Sequence, residues 1–334
     1  MYELLGICLV LAALLTINAI ASTISAACSP LLRRALQHRS ARTRAEMLFA
    51  LRVGPTALAL LSVTLFLVPS YLGYEPYKTS ETVSKKLAAL AMLSIIGVTL
   101  ALCRALRSWF ATRALLQEWL TGAVQIQLDG TGIPTFRISN SFPIIAVVGI
   151  FRPRLFIAAR VLETLNQEEL TAAIAHEGGH LAARDNFKRS LLRACRDVLM
   201  IVPCGRTLDR AWAEAAECAA DEHAAQMSAE TALNLASALV KIAKMVPAGA
   251  RATVPLAAFL VGVEETRGVK ARVRRLLEIA ASGHLRQSTN PILFQAVPAA
   301  SICGLVLLAI VIATNPIILV AIHNVIEHAV KILS

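Results

Sequence analysis

The sequence predicts a multi-pass α-helical membrane protein with an α+β domain set between its third and fourth membrane spans. Composition is the first observation behind this prediction. Of 334 residues, 56% are hydrophobic and only 16% are charged, against roughly 25% charged in an average soluble domain. Mean hydropathy is +0.62. The second observation is a set of apolar stretches near the roughly 20 residues that a bilayer requires. The third is region 107–295, whose mixed polarity and capping signals contrast with the apolar segments around it.

The spans follow in order. Leu4–Ala27 carries no charge. Val53–Tyr74 also carries none, with Pro55 and Pro69 near its ends. Leu87–Cys103 is bounded by Lys85, Lys86 and Arg104, whose long side chains can snorkel. Ala296–Ile322 is uncharged and contains Pro298 and Pro316. The first segment has a faint processing pattern, Ser25-Ala26-Ala27-Cys28, but no positive residue precedes it. Its apolar run also exceeds a signal-peptide core, so it is expected to remain as a span. The expected organisation is three transmembrane helices within 1–106 with a basic cytoplasmic loop at 28–52, a domain at 107–295, a fourth transmembrane helix at 296–322 and a short tail at 323–334.

Orientation follows from the basic residues. Arg33, Arg34, Arg39, Arg42, Arg44 and Arg52 face a single acid, Glu46, in 28–52. The positive-inside rule puts this segment and the 107–295 domain in the cytoplasm, with the N-terminus and the tail from His323 outside. The net charge of +11 first suggests nucleic acid. Its clustering beside membrane spans is explained by topology and anionic lipid instead. The bilayer is therefore an expected partner and nucleic acid is not. The 7 Cys include no C-x-x-C pair, which removes a zinc ribbon or a disulfide framework. No span carries the internal acid or base that marks an ion pathway, so transport lacks support.

Within the domain, Trp109, Phe110, Leu115, Leu116, Trp119 and Leu120 recur with helical period. Strand-like runs follow at Val124–Leu128, Phe136–Ser139, Ile144–Val148 and Leu155–Ile157, with turn residues between them. They predict a small antiparallel sheet. Next comes a well-marked helix. Asn166 fits the N-cap with Glu169 three residues on, and Leu165 and Leu170 fit a hydrophobic staple. The pattern carries this helix to Arg184.

On that helix lies His176-Glu177-Gly178-Gly179-His180. Residues i and i+4 share a helix face, so two imidazoles can hold one zinc ion with the glutamate beside them as general base. Each glycine costs about 1 kcal/mol relative to alanine; both leave a thin surface for a close approach by substrate backbone or another helix. A third ligand is needed. The alanine-rich segment Trp212–His223 offers Glu217 and Asp221, also i and i+4. Spacing alone leaves Glu214 and Glu222 as alternatives to Glu217, and His223 lies off this face. Asp221 is placed to accept the second N–H of a ligating imidazole.

These residues carry a resemblance. His176-Glu177-x-x-His180 followed by Glu217-x-x-Ala220-Asp221 resembles the gluzincin membrane proteases. Two branches are similar: the BlaR/MecR-type integral-membrane zinc metallopeptidases and the HtpX/CAAX-prenyl-protease branch. Arg184-Asp185-Asn186 after the pentad looks like the first, as does Asn140 to Pro143 followed by Gly149 to Ile157. Three spans before the domain and one after it suit that branch too. The short spacer between Glu217 and Asp221 is nearer the second. The sequence ends soon after the last span, so a penicillin-binding sensor domain is not expected in it.

The resemblance implies a multi-pass α-helical membrane protein with a cytoplasmic α+β zincin-like (gluzincin) metallopeptidase domain. It implies one Zn2+ per chain on His176, His180 and Glu217, with Glu177 as the catalytic base and Asp221 behind a histidine ligand. The substrate would be a protein or peptide, lying along an edge strand for which Ile144, Ala146 and Val148 are the candidates. Arg272 and Arg275 are candidate oxyanion stabilisers, with a solvated basic face as the competing reading. Asp185 reads as a helix-end charge. The implied role is regulatory or processing endopeptidase, with a transcriptional repressor or a separate sensor as partner. The alternatives are a quality-control protease of the HtpX/CAAX kind and a non-catalytic signalling scaffold with a vestigial metal site. His38, His284, His323 and His328 show no partner pattern.

Overall fold

A computed structural model describes residues 2–76, 83–128, 131–140, 142–198, 205–246, 266–282, 307 and 310–333. Three long helices open the chain: α1 (Tyr2–Ala35), the continuous helix Ala41–Tyr74, and α4 (Lys85–Thr121). Each is long and apolar enough to cross a membrane. The second comprises α2 (Ala41–Ser62), a π-helical turn (Val63–Leu67) and α3 (Val68–Tyr74). The π turn ends two residues before Pro69, which has no N–H to give and would crowd the carbonyl four residues back. Leu4, Ile7, Ile20 and Ile24 of α1 are exposed, as expected of a helix facing lipid rather than water.

Two helices extend beyond the expected spans. The residues expected as a basic loop, 28–52, are helical except for the turn at 36–40. Ser40 caps α2 by accepting from the Thr43 N–H at 3.2 Å. The first turns of α2 then bury Ala45 and Leu48 against Leu208, Trp212 and Ala215. The third span and the amphipathic Trp109–Leu120 segment are likewise one helix, because nothing between Arg104 and Leu120 breaks it.

The domain follows with β1 (Val124–Ile126), β2 (Thr135–Ile138), β3 (Ile145–Val148) and β4 (Arg154–Ala158). Their spatial order is β1-β2-β4-β3. The sheet is mixed rather than antiparallel: β2 and β4 run parallel, and the β3–β4 hairpin turns back to the edge. Helices α5 (Ala159–Thr164), α6 (Gln167–Ala182), α7 (Asp185–Val198), α8 (Gly205–Ala225), α9 (Ala229–Met245) and α10 (Thr266–Ser282) complete it. Strands β3 and β4 are buried along nearly their whole length, which explains their unbroken apolar sequence. They pack with Leu170, Ala172 and Ala173 of α6 and Leu235, Leu239 and Ile242 of α9 in one core.

Of the fourth expected span, 296–322, residues 307 and 310–322 are described: helical at 307 and 310–313, with a break at 314–315 before helix resumes. Its described end is α11 (Pro316–Leu333), which continues as helix through the stretch expected as a tail. Ile326 and Val330 of α11 join Leu5, Tyr71 and Leu87 in a second buried cluster. The Ser70 hydroxyl donates to the Leu319 carbonyl at 2.8 Å.

Candidate metal centre

The helix that bears the pentad is fixed at its start. Asn166 accepts from the Glu169 N–H at 2.7 Å, and Glu169 accepts from the Asn166 N–H at 3.0 Å, the reciprocal capping expected from sequence. Glu169 also takes hydrogen bonds from Ser237 and Lys241, which tie α6 to α9. The last turns of α6 then carry His176, Glu177 and His180, all buried. The two imidazoles stand 4.9 Å apart, centroid to centroid, with their planes nearly perpendicular.

Helix α8 closes on this face through Gly179. A Cβ there would meet Ala220 Cα at 3.0 Å and His223 Cβ at 3.1 Å, whereas a Cβ on Gly178 would meet nothing. The close helix approach explains the second glycine of the pair. It brings Glu217 onto both rings. Oε2 lies 3.6 Å from His176 Nε2, and Oε1 lies 3.5 Å from His180 Nε2. Glu214 is exposed, and Glu222 accepts from the Ala41 N–H and pairs with Arg275. Glu217 is thus the acid of the three that faces the histidines. His223 is exposed, as is His38, and His284 lies outside the described residues.

The residues fit a metal ion. Both Nε2 atoms are buried without a hydrogen-bond partner, which is costly unless something binds them. Separations of 3.5–3.6 Å are too long for hydrogen bonds. Three donors about 2.0–2.2 Å from one tetrahedral ion stand roughly 3.3–3.6 Å from one another. His176, His180 and Glu217 form a group able to hold a metal.

Behind the rings stand two carboxylates. Asp221 Oδ1 lies 2.9 Å from His176 Nδ1, and Asp185 Oδ2 lies 2.7 Å from His180 Nδ1. Asp185 therefore corrects the expectation of a mere helix-end charge. Arg184 adopts a left-handed conformation, φ 54°, which turns the chain after α6 and sets Asp185 beneath His180.

Arg272 is also corrected. Its guanidinium is buried and clamps Asp221 through Nε to Oδ2 at 2.8 Å and Nη2 to Oδ1 at 2.7 Å. Its Nη1 lies 3.0 Å from Glu217 Oε2. Arg275 is committed to Glu222. Arg272 is therefore buried rather than on a solvated face, while Arg275 is about one-third exposed. Arg274, exposed and paired with Glu278, is the solvated member of that run.

Glu177 Oε2 accepts from the Val147 N–H at 3.0 Å, while Oε1 is buried without a hydrogen-bond partner. Strand β3 is one of the two sheet edges and lies beside this carboxylate. Ile144, Ala146 and Val148 do not carry the open edge. The Ile144 carbonyl accepts from the Ala158 N–H at 2.8 Å, so alternation turns Ala146 and Val148 toward β4 as well. Ile145 and Val147 face outward. Asn186, not anticipated from the sequence, donates to the carbonyls of Val147 at 2.8 Å and Gly149 at 3.2 Å. Gly149 has φ +110°, and a Cβ there would meet the Arg152 carbonyl at 2.7 Å, so glycine is required in this turn.

The electrostatics favour a cation. Burial opposes charge on His180, but Glu217 and Asp185 outweigh it and push the ring pKa up to about 10. His176 is raised too: burial works against it, and Asp221 and Glu217 prevail. Burial would raise Glu217, yet His180 and Arg272 hold it well below the usual carboxylate range. Burial pushes Glu177 up despite the nearby imidazoles.

The family model described as Peptidase family M48 matches residues 139–317, a stretch that includes every residue of this centre. No curated protein matches the chain.

Proposed function

The chain belongs to peptidase family M48, whose members are metal-dependent, and from that premise we propose a membrane-held zinc endopeptidase that cuts a protein or peptide at the cytoplasmic membrane face. One observation carries this reading: the buried, unpartnered His176 Nε2 and His180 Nε2 converge with Glu217 beside the unpartnered Glu177 Oε1.

His176, His180 and Glu217 would hold the zinc. When bound, zinc supplies a Lewis acid that acidifies water and polarises a carbonyl. The rest falls to this chain's own groups. Glu177 Oε1 takes the proton of the attacking water and returns it to the leaving amine. The Val147 N–H fixes the other oxygen so that Oε1 stays aimed. Asp221 and Asp185 each accept an Nδ1–H, which orients both rings with Nε2 inward. Arg272 offsets the charge of Asp221 and Glu217. An extended substrate pairs along β3, meeting the outward groups of Ile145.

The membrane-length helices support membrane association. Packing of α2 on α8, and the Arg193 to Ser108 contact at 3.5 Å between α7 and α4, support placing the domain on the side of the basic 28–52 stretch. The positive-inside rule makes that side cytoplasmic. A regulatory or processing role, of the BlaR/MecR or the HtpX/CAAX kind, rests on the sequence resemblance. A repressor substrate or a separate sensor belongs to that same proposal.

The test compares the purified wild type with Glu177→Gln, assaying cleavage of unfolded protein and zinc content together. Equal zinc with cleavage in the wild type alone is expected. Equal cleavage in both would remove Glu177 as the base.

A further inference from the structure

The metal centre has a recognisable mark in this structure: imidazole nitrogens sealed from solvent with no hydrogen-bond partner, facing a carboxylate beyond hydrogen-bond range. Among the described residues, one other imidazole bears it. His323 Nδ1, on α11, is buried and unpartnered and stands 3.9 Å from Glu75 Oε2. Glu75 directly follows α3 and is itself buried, its side chain only 4% exposed. One turn along α11 from His323 comes Glu327. One ligand atom from each of Glu75, His323 and Glu327 lies within 4.8 Å of the others.

The arrangement repeats the logic of the catalytic centre. Two ligand-type residues occupy i and i+4 on one helix, and a third, a carboxylate, reaches in from a neighbouring element. A simple ion pair explains it less well. A charged imidazole facing a buried carboxylate closes to about 2.7–2.9 Å, as His180 does with Asp185 at 2.7 Å. Lys331 lies 3.9 Å from Glu327 Oε2, and the Tyr74 ring is 6.2 Å from the His323 ring.

We propose that Glu75, His323 and Glu327 form a second metal site, for a divalent transition ion such as zinc, that joins the end of the second long helix to α11. One nitrogen and two carboxylate donors suit zinc, with water completing the shell. The ion staples α3 to α11 beside the cluster of Leu5, Tyr71, Leu87, Ile326 and Val330. In the topology proposed above, it sits on the membrane side opposite the catalytic zinc.

The test is zinc stoichiometry of the full chain in detergent, after zinc loading and dialysis, with thermal unfolding as a second readout. We expect about two zinc ions in the wild type, about one in His323→Gln and about one in His176→Ala/His180→Ala. Zinc should raise the melting temperature of the double variant, and His323→Gln should cleave protein at the wild-type rate. If His323→Gln is not monodisperse, Glu327→Gln replaces it, since Glu327 is about one-third exposed. Equal zinc in the wild type and His323→Gln would overturn the second site. One zinc in the wild type and none in His323→Gln would uphold it and defeat the catalytic zinc instead.

Discussion

Arg272 grips both carboxylate oxygens of Asp221, at 2.7 and 2.8 Å, and Asp221 holds His176 Nδ1 at 2.9 Å. A residue on α10 thus orients a ligand on α6 through an acid on α8. All three are buried. Removing the guanidinium leaves a buried carboxylate without its counter-charge, at a cost of about 3–5 kcal/mol. Arg272→Met should lower the melting temperature and weaken zinc binding together. Arg272→Lys should recover only part of either, because an ammonium cannot make the bidentate contact. Wild-type zinc affinity in Arg272→Met would exclude the relay.

The same pair sets an acid limit. Burial would raise the Asp221 pKa, but Arg272 dominates and holds it at about 2, below its ordinary 3.8. A depressed folded pKa contributes stability that is full above the unfolded value and is lost as pH falls through the folded one. The contribution is on the order of 2 kcal/mol. Metal-free protein should lose it between about pH 4 and pH 2. Asp221→Asn should show a flatter stability curve in that window, read by denaturant unfolding at several pH values. An unchanged curve would refute the assignment.

Asp185 predicts a split between neighbouring acids. Its contact with His180 should make Asp185→Ala lose zinc affinity by about 10–100-fold. Glu217→Ala should lose the catalytic zinc, and Glu214→Ala should behave as wild type, since Glu214 is exposed. Competition with a chromogenic chelator ranks the three. Equal affinities for Glu217→Ala and Glu214→Ala would unseat the proposed third ligand.

The adjacent glycines should respond with opposite signs. Gly179→Ala forces a Cβ to 3.0 Å from a backbone atom of α8, which cannot yield without separating the helices, and should destabilise by about 1–3 kcal/mol. Gly178→Ala meets open space and should stabilise by up to about 1 kcal/mol through helix propensity. Thermal unfolding of the two variants decides the matter; the reverse order would mean that α6 and α8 pack differently.

Much of the centre was legible because local chemistry encodes it. The capping box around Asn166 fixes the start of α6, and the i,i+4 spacing fixes His176 against His180. Glu217 needed the resemblance, because one helix face cannot say which acid its neighbour meets. Asp185 and Arg272 were misread for a related reason: their partners are set by a chain reversal at Arg184 and by packing of α10 on α8. Neither leaves a periodic trace. The edge strand was found at the right place but one residue out of register, since the pairing of β3 with β4 decides which backbone groups face outward. The segment read as a basic loop at 28–52 became helix because its apolar side found α8, a tertiary contact invisible in the local sequence.

Anomalous diffraction at the zinc edge, on crystals of the zinc-loaded chain, shows directly which residues hold the ion. A peak is expected about 2.0–2.2 Å from His176 Nε2, His180 Nε2 and a Glu217 oxygen, with Glu177 beside it but not bound. A zinc-loaded crystal with no peak among these three residues, or with Glu177 as a ligand, would contradict the proposed ligand set.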